Sequence, residues 1–581
     1  VRISKLGVFG FFVAIATLLV LPAARETHAQ GAPARHIEVS FPESLSRTPL
    51  TGRLFLMIGR KSEPELRLQS YWFNSTQFIG VDVAEWKPGT PIVIDERSVG
   101  YPFRGLNEMP AGDYNVQASL IVYQAYRRAD GHTVYAPDAW EGQHFHASPG
   151  NLYSDMQRIR LDPTQSAVMT LTLTHRVPTG VPGPADTEWV KHVRIQSKLL
   201  SRFWGRPIYI GAVVLLPRDY DSRSEVRYPV IYQQQAHFNH RAPFDFSVED
   251  SPAVRSLHAQ ECRGKCESGF EFSQTWRSDG FPRFVAVALQ HPTPYADFSS
   301  AINSANNGPY GDAIVTELIP YIEKQFRIAR EPCARAIVGK SLGGRDALAQ
   351  QLHYPEVFGG GAWIFYPWGI DFSNYGSLDI YERENAFEIR KPEGAVWKGF
   401  WAGGEWVPLE RYMGRIADGT PLVTFRQLSD HDTLIDPRWG GEFGAEDANF
   451  GPVGASGYPE PLWDRSTGAI NVQVASHWRE QGDLAAYAER HWTKIGPLLR
   501  GKLHFYVGEM DEYYRQRGVR HFDERLRTLD PASGATFEYG PLDGHGWQPM
   551  SNAELIRTIA AQVARDAPPG GCGISPAVRQ R

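Results

Sequence analysis

Apolar and polar positions follow two rhythms along this chain, and the change between them falls near residue 180. Before it the beat is two. Tyr114, Val116, Ala118, Leu120 and Val122 alternate with Asn115, Gln117 and Ser119, the mark of a half-buried strand. Residues 53–58, 71–83 and 166–173 read as further strands, separated by turn signals such as Pro110-Ala111-Gly112-Asp113. Together they predict an all-β, sandwich-like domain over 30–176 with roughly seven or more strands. The span is too short for a propeller, whose several blades take roughly forty residues each.

Residues 177–186, V-P-T-G-V-P-G-P-A-D, are a linker; its prolines and glycines suit neither a helix nor a central strand. Beyond it, short apolar runs at 208–216, 228–232, 284–289 and 336–338 alternate with helical segments. In 311–326, Ile314, Leu318, Ile322 and Phe326 fall four apart, and Pro320 predicts a bend. A fifth strand, rich in aromatics, is expected at 361–369, a sixth at 502–507, and a closing helix at 553–563. Strands interleaved with helices predict a mostly parallel sheet covered on both faces, built in two parts, 187–371 and 501–581. Residues 372–500, dense in Trp, Tyr, Gly and Pro with a helical hint at 478–492, read as an insertion over the strand ends, a lid or pocket wall.

Composition refines this picture. With 581 residues, 42% hydrophobic, 22% charged and net charge −5, the chain suits a soluble globular protein of two or three domains. The near-neutral balance gives no reason to expect nucleic acid. Residues 1–29 differ: Arg2 and Lys5 precede an apolar run over 6–21 and a small-residue site at Thr27-His28-Ala29. That order predicts a cleaved secretory signal, a secreted or periplasmic location and no membrane span afterwards, with an uncleaved membrane anchor as the alternative because the run is long. Four cysteines in an exported chain favour disulfides. Cys262 and Cys266 are near enough to close a small loop, leaving Cys333 and Cys572 to tie tail to core, although spacing alone leaves the pairing open. With only His258 beside them, Cys262 and Cys266 supply too few ligands for a structural zinc site.

Chemistry concentrates at Gly339-Lys340-Ser341-Leu342-Gly343-Gly344, between a strand and a helix. This is the context of the G-x-S-x-G nucleophile elbow, where glycines admit a sharp turn that holds the serine oxygen out at a strand tip. A serine needs a base and an orienting acid, and on this architecture the order is serine, acid, histidine. Asp511, just past the 502–507 strand, is the acid candidate, with Glu509 and Glu512 as competitors. His545, in Asp543-Gly544-His545-Gly546-Trp547, is the base, its glycine flanks leaving the ring free to swing. Oxyanion donors are expected from the backbone of Leu342 and of Ala236 or His237. As side chains, His237, His240, His431 and His521 read as bystanders. Trp363, Tyr366, Trp368 and Trp547 are candidates for a substrate wall.

These residues resemble the putative-esterase family of α/β-hydrolases, which includes S-formylglutathione hydrolase, enterochelin esterases, feruloyl esterase domains and mycolyltransferases. The resemblance is carried by R-Y-P-V-I-Y (227–232), N-G-P-Y-G-D-A with E-L-I-P-Y-I-E (307–323), G-K-S-L-G-G (339–344), V-G-E-M-D (507–511) and D-G-H-G-W (543–547). It covers roughly 205–370 and 500–565. Gln235-Ala236 stands where that family has His-Gly, which bears on the second oxyanion donor. The resemblance implies an α/β-hydrolase fold and a secreted serine esterase working through Ser341, His545 and Asp511 without metal or organic cofactor. Its substrate would be a small-molecule or polymer-linked ester, with an aromatic or sugar-linked acyl group suiting the tryptophans. A serine peptidase or an acyltransferase uses the same triad.

Overall fold

The computed structural model describes residues 36–69, 76–140, 148–162, 168–180, 183–222, 224–255, 262–382, 385–390, 395–402, 405–416, 419–569 and 571–574. The expected signal segment lies outside them, as does part of the 71–83 strand.

Beside a separate hairpin of Gln124–Arg127 with Thr133–Ala136, nine described strands build the N-terminal sheet: β1 (His36–Ser40), β2 (Leu50–Gly59), β3 (Gln77–Trp86), β4 (Ile92–Ile94), β5 (Gly100–Tyr101), β6 (Gly112–Val122), β7 (Leu152–Ser154), β8 (Gln157–Leu161) and β9 (Val168–Arg176). They make one continuous sheet in the order β4-β1-β9-β7-β6-β2-β3-β5, with β8 also on β6. Strand β9 joins its two halves. Residues 168–172 pair in parallel with β1, and after a register shift residues 173–176 pair antiparallel with β7. The sandwich-like domain is thus a single curled sheet closed over its own core of Val39, Leu54, Leu56, Ile79, Val116 and Leu171.

Strand β2 is buried on both faces. Leu54, Leu56 and Ile58 point into that core, while Phe55 and Met57 join the larger core shared with the rest of the chain. Hence β2 reads as a near-continuous apolar run. The shared face meets the insertion directly. Arg53 donates from Nε (3.0 Å) and Nη2 (2.8 Å) to the carbonyl of Leu434, and Tyr123 donates its hydroxyl proton to Asp436 Oδ2 (2.9 Å). Arg128 Nη1 donates to the carbonyl of Gly457 (2.8 Å).

The described residues of the linker form neither helix nor strand. The second sheet comprises β10 (Val190–Ser197), β11 (Ile208–Leu215), β12 (Val230–Gln234), β13 (Val285–Gln290), β14 (Arg335–Lys340), β15 (Ala362–Phe365), β16 (Leu503–Gly508) and β17 (Thr536–Gly540). Its order is β10-β11-β13-β12-β14-β15-β16-β17, and only β11 runs against its neighbours. This is the α/β-hydrolase fold. Strand β10 had no sequence expectation, because an edge strand half open to water lacks an apolar run. The fifth strand stops at Phe365 rather than 369. Tyr366 (φ 36°) and Gly369 (φ 48°) take left-handed conformations that turn the chain out of the sheet.

Helix α1 (Leu342–His353) follows β14, and α7 (Asn552–Arg565) closes the chain. The segment before β14 is α-helical at Tyr310–Ala313 and Ile319–Gln325, with a π-helical turn at Ile314–Leu318 between. The wider turn accommodates Pro320, which has no N–H to give and whose ring would crowd the preceding carbonyls. Within the insertion lie α2 (Phe425–Ile435), α3 (Gly441–Phe450), α4 (Val472–Gln481) and α5 (Leu484–Leu499); α6 (Arg515–Thr528) follows β16. The helical hint at 478–492 is two helices, interrupted at Gly482 and restarted by Asp483, whose carboxylate accepts from Ala486 N–H as the cap of α5. Two disulfides join Cys262 to Cys266 and Cys333 to Cys572. No helix among the described residues is long and apolar enough to cross a membrane.

Candidate active site

Ser341 stands between β14 and α1 with φ 55° and ψ −122°, backbone that side-chain-bearing residues rarely adopt. The turn is tight on all sides. A Cβ on Gly339 would lie 1.9 Å from the carbonyl oxygen of Gly343, and one on Gly343 would lie 2.2 Å from that of Gln234, so only glycine fits either place. Ser341 N–H donates to Phe365 O (3.0 Å), and its own carbonyl accepts from Trp368 N–H (3.2 Å). Leu342 begins α1, so its N–H is one of those that a helix leaves without an internal acceptor. The backbone of Gln234 and Gln235 lies against Gly343, bringing the chain before Ala236 and His237 to the elbow.

Asp511 and His545 come together at the ends of β16 and β17. His545 Nδ1–H donates to Asp511 Oδ2 at 2.8 Å, which leaves Nε2 as the proton acceptor. Asp511 is 2% exposed. Burial pushes its carboxyl up, but His545, Arg515 and the Tyr513 N–H outweigh burial and hold it below the usual carboxylate range. The other acids separate cleanly: Glu509 pairs with Arg520, whereas Glu512 accepts the backbone N–H of His545. The acid and histidine loops are also stitched together by Met510 N–H on Asp543 O (2.8 Å).

The imidazole is not free to swing. Tyr366 and Tyr513 meet it edge-on from two sides, with ring centroids 4.6 and 5.0 Å away, while Glu512 holds its backbone. Lys340 is also a brace, its ammonium donating to Gln548 Oε1 (2.8 Å) just past the histidine loop.

The aromatic wall expected from sequence is mostly packing. Trp363 is 0% exposed and stacks on His504 (5.0 Å), because its place in β15 sends the ring into the core. Trp547 lays its ring against Gly540, and β17 is closed off there. Trp368 gives its indole N–H to Glu446, and its face is covered by the Arg515 guanidinium, 3.2 Å from the ring centroid. Of the four, Tyr366 alone touches the histidine ring.

In their place the structure assembles polar groups that no motif announced. Helix α3 brings Glu442 and Glu446, one turn apart. Glu446 also accepts from the Tyr375 hydroxyl. Burial pushes the Glu442 carboxyl up to about 8, with Glu446 adding to it, while His237 and Arg515 oppose. Burial likewise carries Glu446 up to about 7 against the Tyr375 and Trp368 hydrogen bonds. His237 contributes its side chain after all, lying 3.2 Å from both oxygens of Asp297. Burial works against its charge, but Asp297 wins and raises it to about 9. Protein surrounds His237, yet its side chain is 57% exposed. Behind it, His291 donates from Nε2 to Gln234 Oε1 (3.0 Å) and accepts from Ser299 N–H at Nδ1 (3.2 Å); burial lowers it to about 4, so the ring is neutral.

A strained serine at a strand tip, a histidine hydrogen-bonded to a buried carboxylate and backbone donors at a helix start are parts suited to acyl transfer. Residues 208–369 match the family model described as putative esterase. That stretch includes the serine elbow but not Asp511 or His545. A curated relative, the uncharacterized protein YbbA of Bacillus subtilis (strain 168), is 25% identical over 121 residues; the match takes in 19% of this chain and 48%, about half, of the relative. Among solved structures, a ferulic acid esterase is 14% identical, covering 64% of this chain and 98% of that one, with a TM-score of 0.35. An S-formylglutathione hydrolase from Agrobacterium tumefaciens is 13% identical, covering 65% and 95%, with a TM-score of 0.33. The strand order of the second sheet, not these distant likenesses, defines the fold.

Proposed function

We propose that this chain is a serine carboxylic-ester hydrolase acting through Ser341, His545 and Asp511. The observation that carries the reading is the 2.8 Å hydrogen bond from His545 Nδ1 to the buried Asp511, on the same strand-end rim as the strained Ser341. Ser341 Oγ attacks the ester carbonyl while His545 Nε2 takes its proton. Asp511 stabilises the imidazolium so formed. The tetrahedral oxyanion is held by Leu342 N–H and by backbone donors after Gln234. His545 then protonates the departing alcohol, leaving an acyl-serine. Water, giving its proton to the same nitrogen, releases the acid and restores Ser341. As part of the same proposal the protein works outside the cytoplasm, a reading supported by its two disulfides.

The test is turnover of 4-nitrophenyl esters together with labelling by a fluorophosphonate probe. Ser341→Ala should lose at least about a thousandfold in kcat and all labelling. Equal turnover by both proteins would end the proposal.

A further inference from the structure

A buried cation that no carboxylate touches directly, among the described residues, stands beside the proposed triad. Arg515, the first residue of α6, is 5% exposed. Its guanidinium lies on the Trp368 ring, 3.2 Å from the centroid, with the Tyr513 ring at 5.3 Å. Among the described residues its side-chain nitrogens make no hydrogen bond and have no carboxylate oxygen within 4.0 Å. Its Nε is sealed from water, whereas the Nη end is not. Burial lowers its pKa to about 10, which leaves it charged at neutral pH.

Two of the acids around it are engaged elsewhere, and the third, Glu442, brings no carboxylate oxygen within 4.0 Å of it. Asp511 holds the His545 ring and the N–H groups of Tyr513 and Arg515. Glu446 holds Trp368 and Tyr375. A guanidinium removed from water needs a partner, and its planar edge matches a carboxylate in a two-pronged hydrogen bond. The site also touches the reaction centre: Trp368, whose ring lies beneath Arg515, donates its backbone N–H to Ser341 O (3.2 Å), and Tyr513 packs on the His545 ring. With the ionised Asp511 nearby, a single negative charge suits the place better than a doubly charged phosphate.

We propose that Arg515, lying on Trp368 next to Ser341 and His545, receives a carboxylate carried by the substrate itself, so that preferred substrates are esters with a second, ionised acid group near the scissile carbonyl. The inference rests on the ester-hydrolase reading, so its test separates binding from turnover. The ligands are the mono-4-nitrophenyl ester of glutaric acid and the same compound with its free acid methylated. Calorimetric titration of Ser341→Ala should give at least about tenfold tighter binding of the free acid, the scale of one charge-assisted hydrogen bond. Adding Arg515→Gln should bring the ratio to about one, and Arg515→Lys should keep part of it. Equal affinities in Ser341→Ala, with Arg515 intact, overturn the subsite even if no Arg515 variant folds. A preference that survives Arg515→Gln overturns it too. Failure of the unmodified chain to hydrolyse either ester counts against the hydrolase reading, while the affinity ratio still decides the subsite.

Discussion

Glu512 shows how little separates the proposed catalytic acid from a brace. It is one residue from Asp511, yet its carboxylate meets the backbone N–H of His545 rather than the ring. Removing it should loosen the histidine loop without removing a reacting group. Glu512→Ala should therefore lower kcat by about tenfold to a hundredfold with little change in KM, while Glu512→Gln, which keeps an acceptor oxygen, recovers most of the loss. Steady-state kinetics on one ester checks both; a KM effect alone would place Glu512 in substrate binding instead. At this scale Ser341, Asp511 and His545 were legible because glycines and strand ends flank them, and those local features set what backbone each can adopt. Arg515, Glu442 and the His237 side chain were not. A lone charged residue carries no mark of the neighbour it will lack or find across the fold.

Helix α3 holds three acids that burial raises: Glu442 to about 8, Glu446 to about 7 and Asp447 to about 6. Glu446 and Asp447 are also relieved by partners, Asp447 by Arg465. For Glu442 the sign is plain. The unfolded chain ionises near the ordinary glutamate value of 4.5 while the folded one keeps its proton, so stability falls as pH rises between about 4.5 and 8. Glu442→Gln escapes this. Its advantage in Tm over the parent should open from about pH 5 and stop growing past about pH 8, read by calorimetry. A constant difference across that range would mean that Glu442 ionises as freely folded as unfolded. Elements themselves were readable where one face meets one core, as in β6, or where four-residue spacing sets a helix, as in α7. They were misjudged where the chain leaves a sheet through left-handed residues, as at Tyr366, since periodicity says nothing of exit angles.

Across the whole molecule the curled sheet and the insertion form one packed body. Arg53, Tyr123 and Arg128 tie β2 and the segment after β6 to the carbonyl of Leu434, the carboxylate of Asp436 and the carbonyl of Gly457, on either side of α3. Phe55, Met57 and Phe78 join the same core as the hydrolase strands. The N-terminal domain thus braces the helix that lays acids over the site. Unfolding should follow a single calorimetric transition, because no boundary in this core is thin enough to part first. Two resolved transitions would show that the domains part independently. The sequence by itself determined what short-range physics controls: the two hydrophobic rhythms, the proline-rich break, the serine elbow, and the strand ends that hold the acid and the histidine. The tertiary structure alone decided which charges share the cleft, that the tryptophans are packing rather than platform, and that the histidine is clamped. Those outcomes depend on burial and on contacts between segments hundreds of residues apart, and neither is encoded in the spacing of any one stretch.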